Sequence, residues 1–281
     1  MTSLMIGYPD IPMRATGIKS WATNASTETP NEGDDYQAVN AYEGDRTAYW
    51  KSSYSKSEHN LRFDLGPSGD RSASFLILSG LDALQALYPT TTTQFELMRS
   101  VDDSSYTAEQ TISNLHSLSL VGPNTADYIT TFTASSAYRY WKARISSTAG
   151  TADFTSLIGK VYFGHLFDMG VEPATYSIER AIVPAEFYAA SGSRFSGKLN
   201  LPKYKISLEW EGVDDSVIKL FFDEIYSKRN THTFFLYTSS YHDILDDKRL
   251  IHVALEDART RDPHNISNFN TLTADFIEVL G

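Results

Sequence analysis

Few side chains in this sequence stand in an arrangement that could carry out chemistry. The chain has 35 acidic residues and seven histidines but no cysteine, and no two histidines stand at the i, i+4 spacing that places a zinc-binding pair on one helix face. It contains no Gly-x-Ser-x-Gly elbow and no glycine-rich phosphate loop. A glycoside-cleaving pair could be drawn in many ways from 35 carboxylates, and the sequence favours none of them. We therefore predict no catalytic residues and no enzymatic activity.

Side chains suited to binding a polar ligand are more concentrated. Tyr54 lies in the polar segment 51–60, KSSYSKSEHN, and Tyr88 lies in the short segment ALYP. Flat aromatic rings pack against the apolar faces of sugars, while neighbouring polar groups bind the hydroxyls. Three residues that follow Tyr54 could supply those hydrogen bonds: His59, Asn60 and Arg62. These five residues form the ligand-binding group that the sequence predicts.

Composition restricts the partners and the compartment. The formal net charge is −11, and both halves are acidic, since residues 1–170 have 12 Lys and Arg against 18 Asp and Glu, and residues 171–281 have 12 against 17. With no basic face indicated, nucleic acid and anionic lipid are not expected as partners. No segment approaches the roughly 18 consecutive apolar residues of a membrane-spanning helix, so we expect no membrane insertion. The absence of cysteine favours folding in a reducing cytoplasm.

The elements that must hold the candidate residues are mostly β-strands. Short runs of β-branched and aromatic residues alternate with turn residues through most of the chain, which is typical of β-sandwiches. The segment 165–175, HLFDMGVEPAT, places a glycine and a proline after a strand, as in a connection between domains. We predict a β-sandwich domain at residues 1–170 and a smaller α+β domain at residues 171–281.

The second half contains one clear strand and one clear helix. Four large side chains alternate with polar ones and should share the buried face of a strand: Tyr204, Ile206, Leu208 and Trp210. An amphipathic helix is predicted over residues 215–229, with Asp214 as its N-cap. Its apolar stripe consists of Val217, Phe221 and Ile225. We expect the stripe to pack on the strand. Further strands are predicted at residues 174–182, 233–238, 250–256 and 272–280.

The order of motifs in the first half is distinctive. An acidic turn at Glu43-Gly44-Asp45 is followed by Trp50, a polar segment and an alternating strand that ends at Asp64-Leu65-Gly66. Further strand-like segments follow at 74–79, 95–106, 138–147 and 157–166. This order resembles that of coagulation-factor C-type (discoidin-like) domains over roughly residues 15–166. The resemblance implies a jelly-roll β-sandwich that binds sugars or membrane surfaces, with Trp50 in its core.

The same resemblance implies a place for a structural calcium ion. In sugar-binding members, a cation lies near the acidic turn and is held by a carboxylate, by main-chain carbonyls and by a further acid from the closing strand. Asp45 is the residue that would serve as the metal ligand in the turn. The closing strand here reads Gly159-Lys160-Val161, with a lysine and no acid. We therefore expect no cofactor.

The second half has a pattern of its own. The segments ISLEWEG, FFDEIY, FFLY and ADFIEV follow one another between residues 206 and 279. Their order resembles that of the distal tail and tail-tip proteins of long-tailed bacteriophages and gene-transfer agents over residues 175–281. The resemblance implies a structural virion protein of the tail tip or baseplate, folded in the bacterial host cytoplasm. It also implies a homohexameric ring that contacts the tail tube, the hub and the tape measure and displays a sandwich for host-surface glycans. The alternatives are a free-standing lectin, a tail-associated glycan hydrolase, and a decoration or collar protein.

Overall fold

The structure is a computed structural model of the chain. It describes residues 4–9, 11–12, 15, 17–24, 27–30, 50–51, 57–87, 93–120, 127–133, 136–147, 153–154, 157–181, 184–188, 194–198, 203–230, 233–238, 250–261 and 269–279. The chain divides into two compact units, one formed by residues 7–166 and the other by residues 167–280 with residues 1–6. The fold is mainly β with antiparallel sheets, which confirms the predicted fold class. That residues 1–170 and 171–281 fold as independent domains stays a prediction.

The described elements are numbered in chain order. The strands of the first part are β1 (Leu4–Tyr8), β2 (Gly17–Asn24), β3 (Thr27–Pro30), β4 (Trp50–Lys51), β5 (Glu58–Asp64), β6 (Phe75–Ser79), β7 (Thr93–Ser100), β8 (Thr107–Ile112), β9 (Tyr128–Thr131), β10 (Tyr140–Ser147), β11 (Leu157–Ile158) and β12 (Lys160–Asp168). The later strands are β13 (Thr175–Ala181), β14 (Pro184–Tyr188), β15 (Arg194–Lys198), β16 (Lys203–Asp214), β17 (Phe234–Thr238), β18 (Leu250–Arg261) and β19 (Phe269–Glu278). The α-helices are α1 (Leu81–Leu87) and α2 (Asp215–Glu224). No described helix is long and apolar enough to cross a membrane.

Residues 7–166 form a β-sandwich. Six antiparallel strands make one sheet in the order β3-β2-β5-β10-β7-β8, and β12, β6 and β9 lie side by side in the opposing sheet. Alternate residues of β10 from Trp141 to Ile145 are buried, as the period of two along a strand requires. Across the core, Phe163 of β12 lies edge-on to Phe63 of β5, with ring centroids 5.2 Å apart. The Phe163 ring centroid also lies 5.5 Å from that of Trp141. Trp50 is fully buried in the same core, as predicted.

The predicted closing strand, residues 157–166, is divided into β11 and β12 at Gly159. The Gly159 N–H donates to the carbonyl oxygen of Ser79 at 2.8 Å. A Cβ atom at this position would lie 2.9 Å from the same oxygen, which is closer than real Cβ contacts allow. Glycine is therefore required where the closing strand crosses the end of β6.

Residues 167–280 contain an antiparallel sheet in the order β13-β16-β19-β18-β17, with β1 beside β17. The alternation predicted for β16 is confirmed, because Ile206, Leu208 and Trp210 are fully buried while Lys205 is exposed. Tyr204, at the start of the strand, is only partly buried. The strands β14 and β15 pair separately as a hairpin.

The helix α2 begins as predicted but is shorter than the 215–229 helix that the sequence suggested. The carboxylate of Asp214 accepts a hydrogen bond from the backbone N–H two residues later at 2.8 Å, as an N-cap does. The α-helix ends at Glu224, and a 3-10 turn follows at Tyr226–Lys228. In that turn, Ser227 Oγ donates to the carbonyl of Asp223 at 2.6 Å. Such bonds from side chain to backbone compete with the regular helical pattern.

The buried face of α2 differs from the predicted stripe at one position. Phe221 and Ile225 are buried as predicted, but Ile218 is buried in the place expected of Val217, which is partly exposed. The helix lies against β16 and β19. Phe221 also lies edge-on to Phe167, with ring centroids 5.9 Å apart. The predicted packing of helix on strand is therefore present with the stripe displaced by one residue in its first turn.

Candidate functional site

The predicted ligand-binding residues do not meet at one place in the described part of the chain. Three predicted site residues lie outside it: Asp45, Tyr54 and Tyr88. The other three are in β5, which begins at Glu58, so the last three residues of the polar segment 51–60 belong to a strand. The cause is strand pairing, because β10 extends its partnership with β5 as far as Ser146 opposite Glu58. Ligand binding by the five residues stays a prediction.

His59 and Asn60 point to opposite faces of the sheet, and both are buried. His59 faces the core, where its Nε2 lies 2.8 Å from the carbonyl oxygen of Phe154 and its ring lies edge-on to that phenyl ring. Asn60 is on the outer face and donates from Nδ2 to Glu58 Oε1 at 3.0 Å. Both side chains have about one per cent exposure or less. In this structure they hold neighbouring protein groups and present no surface to a ligand.

Arg62 is partly exposed and belongs to a polar network on the outer face of the six-stranded sheet. The register places Tyr140 opposite Asp64 and Lys142 opposite Arg62, so these side chains share one face. Three further residues reach the same network, and we call the whole group the Arg62 patch. It consists of Arg62, Asp64, Asp103, Tyr106, Arg139, Tyr140 and Lys142.

The carboxylates of the Arg62 patch are held by donors on two sides. Arg62 Nη1 donates to Asp103 Oδ2 at 2.5 Å, and the Tyr106 hydroxyl donates to Asp103 Oδ1. Arg139 donates to both oxygens of Asp64, at 2.8 and 3.2 Å. Bidentate pairs of this kind fix orientation as well as adding energy. Both carboxylates are therefore fixed in position without help from a ligand.

Two pKa shifts follow from this geometry. The hydrogen bond from Arg139 is the main cause that holds the pKa of Asp64 below its usual range, so this group stays ionised at neutral pH. Burial, followed by the hydrogen bond to Asp103, raises the pKa of the Tyr106 hydroxyl. Tyr106 therefore remains a neutral donor, and Asp64 remains a charged acceptor.

The aromatic rings of the patch are covered by cations. Arg139 Cζ lies 4.6 Å and Arg62 Cζ 5.6 Å from the centre of the Tyr140 ring. Lys142 Nζ lies 4.2 Å from the centre of the Tyr106 ring. These distances are within the range of cation–π attraction. Each of the two rings therefore has a cation over at least one face.

The hairpin between β7 and β8 positions Asp103. Asp102 Oδ1 accepts the backbone N–H groups of Ser104 at 3.0 Å and Ser105 at 3.1 Å. Those bonds, from Ser105 first and then Ser104, hold the pKa of Asp102 far below its usual range. Asp103 itself has φ of 62°, in the left-handed region that Asp tolerates better than most residues. The turn is therefore closed by its own side chains and brings Asp103 to Arg62.

The place that the resemblance implies for a calcium ion includes Asp45, which lies outside the described residues. Within the described ranges, no three His, Asp or Glu residues are grouped so that they could hold a metal ion. Lys160 is fully buried opposite Ser79, and Ser79 Oγ donates to the buried Asp127 at 2.5 Å. The closing strand therefore contributes a buried lysine at this position.

Most residues of the Arg62 patch were not predicted from the sequence. One signal was available, since the alternation in β10 places Tyr140 and Lys142 on the face opposite Trp141. The pairing itself was not readable, because Asp64 and Arg139 are 75 residues apart in the chain. Asp103 and Tyr106 lie in the segment 95–106, which the sequence predicts only as strand-like.

Comparison with known proteins gives structural neighbours only. No protein-family model and no curated protein matches the chain. A chitosan-binding module of a chitosanase/glucanase from Paenibacillus sp. IK-5 is 13% identical, with a TM-score of 0.36, and the match covers 54% of this chain and 96% of the module. The CBM32 of AlyQ, solved with 4,5-unsaturated mannuronic acid, is 17% identical, with a TM-score of 0.36 and coverages of 54% and 95%.

A larger enzyme is also similar over one of its parts. A GH29 fucosidase from Ruminococcus gnavus, solved with fucose, is 12% identical with a TM-score of 0.38. The match covers 56% of this chain but 26% of the fucosidase, so this chain spans about a quarter of that protein. The neighbours of the chain are thus carbohydrate-binding modules, or proteins that contain a similar region, at low identity.

Proposed function

We propose that the sandwich formed by residues 7–166 binds a glycan through the Arg62 patch, without catalysis. The observation that carries this proposal is a set of partly exposed donors and acceptors that already hold one another in place. The four side chains of the patch that form ion pairs are between 17% and 33% exposed. They are therefore within reach of a ligand on the outer face of the sheet.

The chemistry of the patch suits a ligand rich in hydroxyls. A hydroxyl donates one hydrogen bond and accepts others, and the patch offers charged acceptors at Asp64 and Asp103 beside donors at Arg62 and Arg139. Because these side chains are ordered before a ligand arrives, little side-chain entropy is lost on binding. Neighbouring hydroxyls of a sugar could thus bridge a carboxylate and a guanidinium.

Replacing Arg62 by methionine should weaken glycan binding by roughly tenfold to a hundredfold. Hydrogen bonds to charged groups contribute about 1.5 to 3 kcal/mol, and each 1.4 kcal/mol is about a tenfold change in affinity. Methionine keeps the apolar stem but removes the donors and leaves Asp103 without its guanidinium partner. A glycan array is first probed with the full-length protein to select a ligand. Binding of that glycan would then be measured by calorimetry.

The matched control is Arg259→Met in the other unit. Arg259 is 70% exposed and pairs with Asp275 at 3.4 Å, so its loss should leave glycan affinity unchanged. Equal affinities for Arg62→Met and the wild type, in a protein that binds the glycan, would place the binding site elsewhere. Failure of the wild type to bind any glycan would contradict the binding function itself.

We further propose that the chain is a structural protein of a phage tail tip. This proposal is supported by the sequence pattern of residues 175–281. We propose in addition that the protein needs no cofactor. The sandwich would face the host surface, and the second unit would assemble as a homohexameric ring in contact with the tail tube, hub and tape measure. Assembly would follow folding in the bacterial cytoplasm.

Imaging of intact particles tests the tail proposal. We expect six copies around the tail axis, because rings at a tail tip commonly match the symmetry of the tube. A single copy, or density for this chain on the capsid shell alone, would contradict it. A monomer in solution that binds glycan would favour a free-standing lectin, and depolymerisation of a purified polysaccharide would favour a hydrolase.

A further inference from the structure

We infer that the Arg62 patch selects neutral glycans with adjacent hydroxyls over glycans that contain acidic sugars. This inference rests on the proposed glycan-binding function and names the class of ligand for that site. It follows from how the charges of the patch are paired, from which surfaces of its side chains remain open, and from the charge of the whole protein.

The cations of the patch already have compensating groups. Arg62 is paired with Asp103, and Arg139 is paired with Asp64 through two hydrogen bonds. Lys142 lies over the Tyr106 ring. Asp102 precedes Asp103 in the same turn and adds a further negative charge beside the patch. An acidic sugar would therefore bring its carboxylate close to Asp64 and Asp103, which already pair with both guanidinium groups of the patch.

The surfaces that remain open favour hydroxyl recognition over stacking. The rings of Tyr140 and Tyr106 each have a cation over a face, so a sugar ring that stacked on that face would have to displace Arg139, Arg62 or Lys142. What the patch presents is a carboxylate next to a guanidinium, repeated at Asp64 with Arg139 and at Asp103 with Arg62. Two adjacent sugar hydroxyls match this pair, because one can donate to the carboxylate while the other accepts from the guanidinium.

The charge of the whole protein acts in the same direction. The chain has a formal net charge of −11, and a potential of that sign lowers the local concentration of anionic ligands. A neutral glycan is not affected by it. Its affinity should therefore be nearly independent of salt, whereas any residual binding of an acidic glycan should change with ionic strength.

The experiment compares two ligands of one stereochemistry on the full-length protein. The first series compares oligomers of galactose with oligomers of galacturonate, and the second compares glucose with glucuronate oligomers. Within each series the two ligands differ only in the oxidation of one carbon per sugar. We expect the neutral member of the bound series to be preferred by at least about tenfold, which is about 1.4 kcal/mol. We also expect its affinity to be the same at low and high salt.

A charge variant makes the test sharper. Asp103→Asn keeps an acceptor for Arg62 and Tyr106 but removes the negative charge that compensates the guanidinium. We expect this variant to lose affinity for the neutral glycan and to gain about tenfold for the acidic one, because Arg62 is then free to pair with the sugar carboxylate. The control is Glu109→Gln, since Glu109 pairs with Arg99 outside the patch and should leave the preference unchanged. Asp64→Asn, which frees Arg139, replaces the first variant if that variant does not fold.

The outcomes separate this inference from the proposed function. If the wild type binds glycans but prefers the acidic series, or if neither aspartate variant shifts the preference, the inference is overturned and glycan binding stands. If the wild type binds neither series nor any other glycan, the proposed function fails and the inference fails with it.

Discussion

Replacing Phe221 by alanine should lower the free energy of unfolding by roughly 3 to 5 kcal/mol, the usual range for emptying a buried phenylalanine site. Phe221 is fully buried on the inner side of α2. Its ring lies edge-on to Phe167 at 5.9 Å and to Phe222 at 5.7 Å. The helix is anchored by few residues, so its neighbours cannot close the cavity without moving the helix itself. Chemical denaturation of the full-length protein measures the loss.

The neighbouring Leu220 provides the control. It is 45% exposed on the same helix, so Leu220→Ala removes an apolar side chain of similar chemistry with little buried contact. We expect a change within about 0.5 kcal/mol, as for surface substitutions in general. A loss below about 1 kcal/mol for Phe221→Ala, or equal losses for the two variants, would show that the helix does not depend on this packing.

The strands and the helix were largely predictable because each is encoded by local periodicity. Ile206, Leu208 and Trp210 alternate with polar residues, and this pattern alone fixes one buried face. The division of the closing strand at Gly159 was not predictable, because it depends on the approach of Ser79 from another strand. That Ile218 is buried in place of Val217 has a similar origin. Both residues fit the helical repeat of apolar positions, and packing against the sheet determines which of the two is buried.

The candidate site was predictable only where one strand carried it. Arg62 was found because it follows a polar segment. Successive side chains of β5 point to opposite faces of the sheet, however, which places His59 in the core and Arg62 on the outer face. Its partner Asp103 comes from a hairpin about forty residues later, and the network is built by pairing between strands. Register between distant strands is set by the whole sheet, so a single sequence does not reveal which outward side chains become neighbours.

On the hypothesis that Lys160 pairs with the buried Asp127, we expect Lys160→Met to destabilise the protein by roughly 3 to 5 kcal/mol, the range for breaking a buried charge pair. Lys160 is fully buried in β12, directly opposite Ser79 of β6. Ser79 Oγ donates to Asp127, which is also buried and immediately precedes β9. The three side chains therefore form a row across three adjacent strands. We expect the Lys160 ammonium to balance the Asp127 carboxylate, so that methionine would fill the space but leave that charge uncompensated.

A double variant separates charge pairing from packing. Asp127→Asn alone should also destabilise, because it leaves the ammonium buried without its carboxylate. Combining it with Lys160→Met removes both charges, and replacing a buried ion pair by neutral groups is often close to neutral. The combined loss should thus be clearly smaller than the sum of the two single losses in a urea-denaturation cycle.

The exposed pair of Lys205 and Glu256 is the reference for that cycle. Their side chains are 45% and 40% exposed and lie 3.4 Å apart, so Lys205→Met should cost no more than about 1 kcal/mol. Additive losses at Lys160 and Asp127 would show that the two groups do not interact, and a neutral Lys160→Met would show that the buried ammonium is dispensable. Coupling of the pair would instead mean that the lysine of the closing strand supplies, within the chain, the positive charge that this buried acid requires.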